Sequence, residues 1–82
     1  MFFKKISKEL ILRIGNKPGI SFRELYSDDI SPAHAFEVVK LLKAIDLIYD
    51  KRLMYIMLYL TETGERVYND LKAIDDLMLL SN

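Results

Sequence analysis

The sequence has no cysteine and no tryptophan, only three glycines and two prolines, and no excess of charge of either sign. Each shortage removes a class of answer. Without cysteine there is no disulfide framework and no thiolate metal site. Nothing resembles a glycine-rich phosphate loop, a nucleophile elbow or a zinc-binding H-E-x-x-H helix. The one histidine, His34, has Glu37 three residues on and no further partner, so it reads as a surface side chain. Asp28-Asp29 and Asp75-Asp76 read as helix-end and surface charges. No catalytic residue, metal or cofactor is expected, and the chain does not read as an enzyme. The longest apolar run, LMYIMLYL at 53–60, is too short to cross a bilayer as a helix. The opening MFFKKISKELILRIGNKPG lacks the uninterrupted apolar stretch of a secretory signal. A soluble, cytoplasmic protein without a membrane partner is the expectation.

What is present is apolar. At 51% hydrophobic, the chain has enough to bury and does not read as disordered. Its 82 residues make one domain, 1–82. A domain of this size buries only about 60% of the surface its unfolded chain exposes. It must lean on a dense core, on self-association, or on both. The zero net charge is unevenly spread. Residues 1–27 hold six Lys/Arg against two Glu, and residues 61–82 hold two against five acids. A fold that turns the amino-terminal half and the hairpin toward a ligand shows it a positive face.

Periodicity gives the elements. Ile6, Leu10, Ile11 and Ile14 fall at helical spacing, predicting a first helix over 5–15 that Gly15, Asn16, Pro18 and Gly19 stop. Ser21 with Glu24 is a capping box, predicting a second helix over 21–27. Ser31 followed by Pro32 starts a third over 31–45, with a buried stripe of Ala35, Val38, Val39, Leu42 and Ile45. Residues 47–60 change to strand-like composition, predicting a hairpin that turns near 50–53. Thr61 caps a final helix over 61–80, whose seam is Val67, Leu71, Ile74 and Met78. The fold class is α+β: a winged helix-turn-helix of three helices, a two-stranded wing and a long carboxy-terminal helix.

The chain also resembles the MarR/PadR-like winged-helix transcription regulators. ILRIGNKPGISFRELYS is similar to their first helix, turn and second helix, and SPAHAFEVVKLLKAIDLI to their recognition helix entering the first wing strand. YLTETGERVYNDLKAI is similar to their last wing strand and final helix, with the L-T-x-x-G start. It departs from them at Asp46, where glycine is usual, in a short wing, and in a third helix with no arginine on its outer face.

The resemblance implies a function and its residues. The third helix would enter the major groove, turning Ser31, Ala33, His34, Glu37 and Lys40 to DNA. Lys40 would meet a phosphate or guanine edge, and Glu37 a cytosine amine. Lys51 and Arg52, at the expected hairpin tip, suit phosphate or minor-groove contact. Lys17, Ser21 and Arg23 would form a phosphate clamp at the start of the second helix. Phe2, Phe3, Val67, Tyr68, Leu71, Ile74, Met78 and Leu79 would pair with a second copy, residues 61–80 serving as the dimerisation helix. The leading reading is a homodimeric, sequence-specific binder of double-stranded DNA that regulates transcription. The alternative is a winged-helix protein-interaction or assembly module without DNA readout, suggested by the neutral charge. A small-molecule effector is left open.

Overall fold

A computed structural model describes residues 5–26 and 30–80, the last three as backbone alone. Phe2, Phe3 and the side chains of Met78 and Leu79, expected at a dimer interface, lie outside the described residues, as do Ser27, Asp28 and Asp29. Helix α1 spans Lys5–Asn16, β1 Ile20–Ser21, α2 Phe22–Leu25, α3 Pro32–Ala44, β2 Ile48–Arg52, β3 Ile56–Leu60 and α4 Glu62–Leu80. This is α+β with a small antiparallel sheet, in the order expected for a winged helix-turn-helix.

Helix α1 forms because Leu10, Ile11 and Ile14 share one face, and all three are completely buried. The chain leaves it through a Lys17–Gly19 turn. Gly19 takes a positive φ of 85°, open to glycine at no steric cost. That turn aims the Gly19 N–H at the Leu58 carbonyl (2.9 Å) and starts a short strand. The sheet order is β1-β3-β2, with Ile20 opposite Leu58. The two-residue β1 is an addition to the two strands expected from sequence. It is too short to show a period of two.

Helix α2 is one turn rather than the seven residues expected. Tyr26 is already extended, at φ −92° and ψ 156°, and ends it. The Arg13 guanidinium donates to the Leu25 carbonyl at 2.6 Å, tying that end to α1. Helix α3 runs as its capping residues predict, burying Ala35, Val38, Val39 and Leu42. Ile45 does not join that stripe and is 37% exposed. The helix has ended by then, in a Schellman turn: Leu47 N–H bonds the Leu42 carbonyl (2.9 Å) and Asp46 N–H the Lys43 carbonyl (3.1 Å). Asp46 carries the left-handed φ of 63° that the turn demands.

The same turn seats α4. Thr61 N–H donates to the Leu47 carbonyl (3.0 Å), and Thr61 Oγ1 donates to the Asp46 carbonyl (2.7 Å). Thr61 Oγ1 also accepts from Gly64 N–H at 3.0 Å, capping the helix. A Cβ on Gly64 would run into the Leu47 carbonyl oxygen and reach 3.3 Å from Leu60 Cβ. The L-T-x-x-G segment is therefore a weld between the end of α3 and the start of α4. No helix among the described residues is long and apolar enough to cross a membrane.

Candidate nucleic-acid interface

The amino end of α3 is built to be presented. Ser31 Oγ accepts from His34 N–H at 3.2 Å, and Pro32 fills the first helical position. With Val38, Val39 and Leu42 anchored in the core, Ser31, Ala33, His34, Glu37 and Lys40 are all exposed, as the sequence predicts. Sequence reasoning passed over two further residues of this helix. Phe36 is 52% exposed, held edge-on against Phe22 at 6.3 Å between centroids, with Lys40 Nζ 5.7 Å above its ring. Lys43 lies one turn beyond Lys40. Its signal was the i, i+3 spacing of the two lysines along one flank.

The hairpin lies beside that flank. A groove of about 470 Å³ is lined by Phe36, Lys40 and Lys43 of α3, by Asp50 and Arg52 of β2, and by Ile56 of β3, among others. Asp50 braces the two sides, accepting from Lys43 Nζ at 3.0 Å and from Arg52 Nε at 3.2 Å. Its side chain is only 17% exposed. The hydrogen bond from Lys43, and then that from Arg52, hold its carboxyl below the usual aspartate value. The groove presents three cations against this one carboxylate.

The wing differs from expectation in one place that matters. Lys51 and Arg52 are not at the turn; they belong to β2 and pair with Met57 and Ile56. Ile48 and Leu58 must both reach the core, and that fixes a register in which Arg52↔Ile56 is the last pair. The turn is consequently Leu53-Met54-Tyr55. Being neighbours on a strand, Lys51 and Arg52 project to opposite faces. Arg52 lines the groove with α3, whereas Lys51 Nζ lies 5.4 Å from the Tyr59 ring centroid on the other face.

The candidate clamp at α2 is partly self-neutralised. Lys17 Nζ donates to Glu24 at 2.7 Å, and the same carboxylate accepts from Ser21 N–H at 3.2 Å. The hydrogen bond from Lys17, followed by that from Ser21, lowers the Glu24 pKa. Lys17 and Ser21 are thus drawn together through Glu24, with Arg23 exposed beside them. Among the described residues no group of three or more His, Asp or Glu side chains is placed to hold a metal ion.

Helix α4 packs on α1 and β3. Val67, Tyr68 and Leu71 are half-buried against the chain's own core. The Tyr68 ring lies flat on Gly15, and its hydroxyl donates to Asn16. Lys8 and Asp75 pair at 3.0 Å between α1 and α4. Ile74 and Leu77 remain 49% and 65% exposed, so the uncovered apolar surface of α4 lies toward its carboxyl end.

These features define a winged helix-turn-helix, and solved structures share it. The FabT protein of Streptococcus pneumoniae, solved in complex with DNA, superposes with a TM-score of 0.88 at 15% identity, over 96% of this chain and 59% of its own. A MarR family transcription regulator superposes at 0.85 and 13% identity, over 95% of this chain and 55% of its own. F-93 of SSV1 superposes at 0.78 and 19% identity, over 100% of this chain and 98% of its own. The chain therefore spans little more than half the length of FabT and of the MarR family regulator, and nearly all of F-93. No family model matches the chain, and no curated protein matches it by sequence.

Proposed function

We propose that the chain is a double-stranded DNA-binding transcriptional regulator of the MarR/PadR-like kind, working as a cytoplasmic homodimer. The observation that carries this reading is the convergence of Lys40, Lys43 and Arg52 on one groove beside the exposed face of α3. The likeness to FabT, a protein solved with DNA bound, supports it. In this reading α3 enters the major groove, Lys40 and Arg52 meet phosphates, and Ser31, Ala33, His34 and Glu37 lie nearest the base edges. Two copies joined through the carboxyl-terminal half of α4 set their α3 helices about 34 Å apart, one turn of the duplex.

Selection of bound fragments from random DNA, read against salt concentration, tests it. Two phosphate contacts per protomer predict a slope of about −4 in log K against log salt for the dimer. Lys40→Ala takes away one cation from each protomer and should make the slope shallower by about 1 per protomer. No detectable binding by the folded chain at low salt refutes the reading. The exposed Phe36 and Leu41 on α3 favour a second reading, a protein-docking module. That reading gains ground only if DNA binding fails.

A further inference from the structure

The turn of the hairpin is the most exposed apolar segment among the described residues. Leu53, Met54 and Tyr55 are 82%, 91% and 60% exposed, in a turn holding neither glycine nor asparagine. The last strand pair is Arg52↔Ile56, and the turn closes only through a long Leu53 N–H to Tyr55 carbonyl contact of 3.4 Å. Nothing in the chain's own core requires these side chains. We propose that this tip is an apolar wedge that enters the minor groove of DNA beside the α3 contact and partly unstacks a base step.

Three observations choose this occupant. First, the tip is bracketed by charge on both sides: Arg52 on the face toward α3 and Lys51 on the opposite face, both exposed. A minor groove about 6 Å wide is walled by a phosphate backbone on each side. A strand end with cations projecting both ways matches that arrangement. A flat apolar partner would call for no such bracket. Second, the hairpin does not swing freely. The Lys43–Asp50 pair, at 3.0 Å, fastens it to the helix proposed to lie in the neighbouring major groove, and Arg52, 3.2 Å from the same carboxylate, holds that carboxylate in place within β2. Third, Leu53 and Met54 have no side-chain group able to read a base edge by a hydrogen bond. What they offer is shape and apolar surface, the chemistry by which inserted side chains part stacked bases. The selectivity that follows is for deformable pyrimidine–purine steps, TA or CA/TG, at a fixed offset from the α3 contact.

This inference rests on the DNA-binding reading, and the test separates the two. The probe is a duplex recovered from random DNA by the unaltered chain, carrying 2-aminopurine in turn at each pyrimidine–purine step. Fluorescence is followed as the unaltered chain, L53S/M54S and K40A are titrated in. The expected result is brightening at one step flanking the α3 contact with the unaltered chain. L53S/M54S should lose that signal and bind about tenfold more weakly. K40A should bind more weakly yet still brighten the same step at saturation. L53S/M54S binding within about twofold of the unaltered chain, or no brightening at any step, overturns the wedge and leaves the DNA reading standing. If the unaltered chain recovers no duplex, both fall. Loss of self-association by L53S/M54S in sedimentation, with DNA affinity unchanged, assigns the tip to a protein contact and overturns the inference. Circular dichroism of the variants confirms that altering exposed residues leaves the fold intact.

Discussion

Gly64→Ala is the sharpest test of how the two halves of the fold are joined. By helix propensity alone the change should stabilise α4 by roughly 1 kcal/mol. The structure says the opposite. Gly64 is buried over the Leu47 carbonyl, and its Cβ position lies inside contact with that oxygen and 3.0 Å from the carbonyl carbon. The obstacle is backbone, so no side chain can turn aside. Moving α4 outward loosens the bonds from Thr61 N–H to Leu47 and from Thr61 Oγ1 to Asp46. Overpacking costs about 1–3 kcal/mol. Two weakened hydrogen bonds cost about 0.5–1.5 kcal/mol each. After the propensity gain is set against these, a net loss of about 3 kcal/mol remains. For a domain of this size that lowers Tm by about 12–24 °C. Thermal and urea melts followed by far-UV circular dichroism measure it. Thr63→Ala, one exposed residue earlier in the same helix, should stay within about 0.5 kcal/mol. If Gly64→Ala equals or exceeds the unaltered chain in stability, α4 does not approach Leu47 as described.

Asp46→Gly should stabilise by about 0.5–1 kcal/mol, since glycine relieves the left-handed φ of 63° and removes a carboxylate from a helix carboxyl end. Asp46→Ala also removes the carboxylate, but alanine tolerates the left-handed φ less well than aspartate, so it should not; urea midpoints of the two variants decide. Asp50 has its pKa lowered by Lys43 and then Arg52, so its contribution is complete above the ordinary value of 3.8 and is lost as pH falls through the lower folded value. Asp50→Asn should be less stable at neutral pH and should flatten that acid limb, which urea midpoints against pH will show. Ile74→Asp with Leu77→Asp should turn a dimer into a folded monomer in sedimentation, with weaker DNA binding. An unchanged mass removes α4 from the proposed interface.

Much of the framework was legible because local chemistry and packing agree. Ser31-Pro32 and Thr61 mark helix starts by side-chain capping, which depends on only three or four neighbouring residues. The buried stripe of α3 followed from its period up to Leu42. It failed at Ile45, where a left-handed residue one step later had already turned the chain. Strand β1 escaped notice because its two residues are defined by a partner nearly forty positions away, Leu58, and not by their own pattern. The first miss is set by a turn closed within five residues, the second by a pairing far along the chain.

The hairpin is the instructive case for the site. Asp50-Lys51-Arg52 has the polarity of a turn, and the following Leu53-Met54-Tyr55 has the polarity of a strand. Both impressions invert once the register is fixed by Ile48 and Leu58. Asp50 is polar because it faces Lys43 across the groove, and Leu53 is apolar for no reason internal to the chain. The balance of charge needs the same correction. Zero net charge argues against a polyanion partner only if charge is evenly spread. Here five acids fall on α4, which packs on α1 and β3, while Lys40, Lys43 and Arg52 converge beside α3. A local field of that kind depends on which charges lie within a Debye length of the ligand, about 8 Å at physiological salt. The cations of the groove therefore weigh on a bound phosphate far more than remote acids do. The convergence is set by the turn at Asp46 and the register of β2, neither of which composition can reveal.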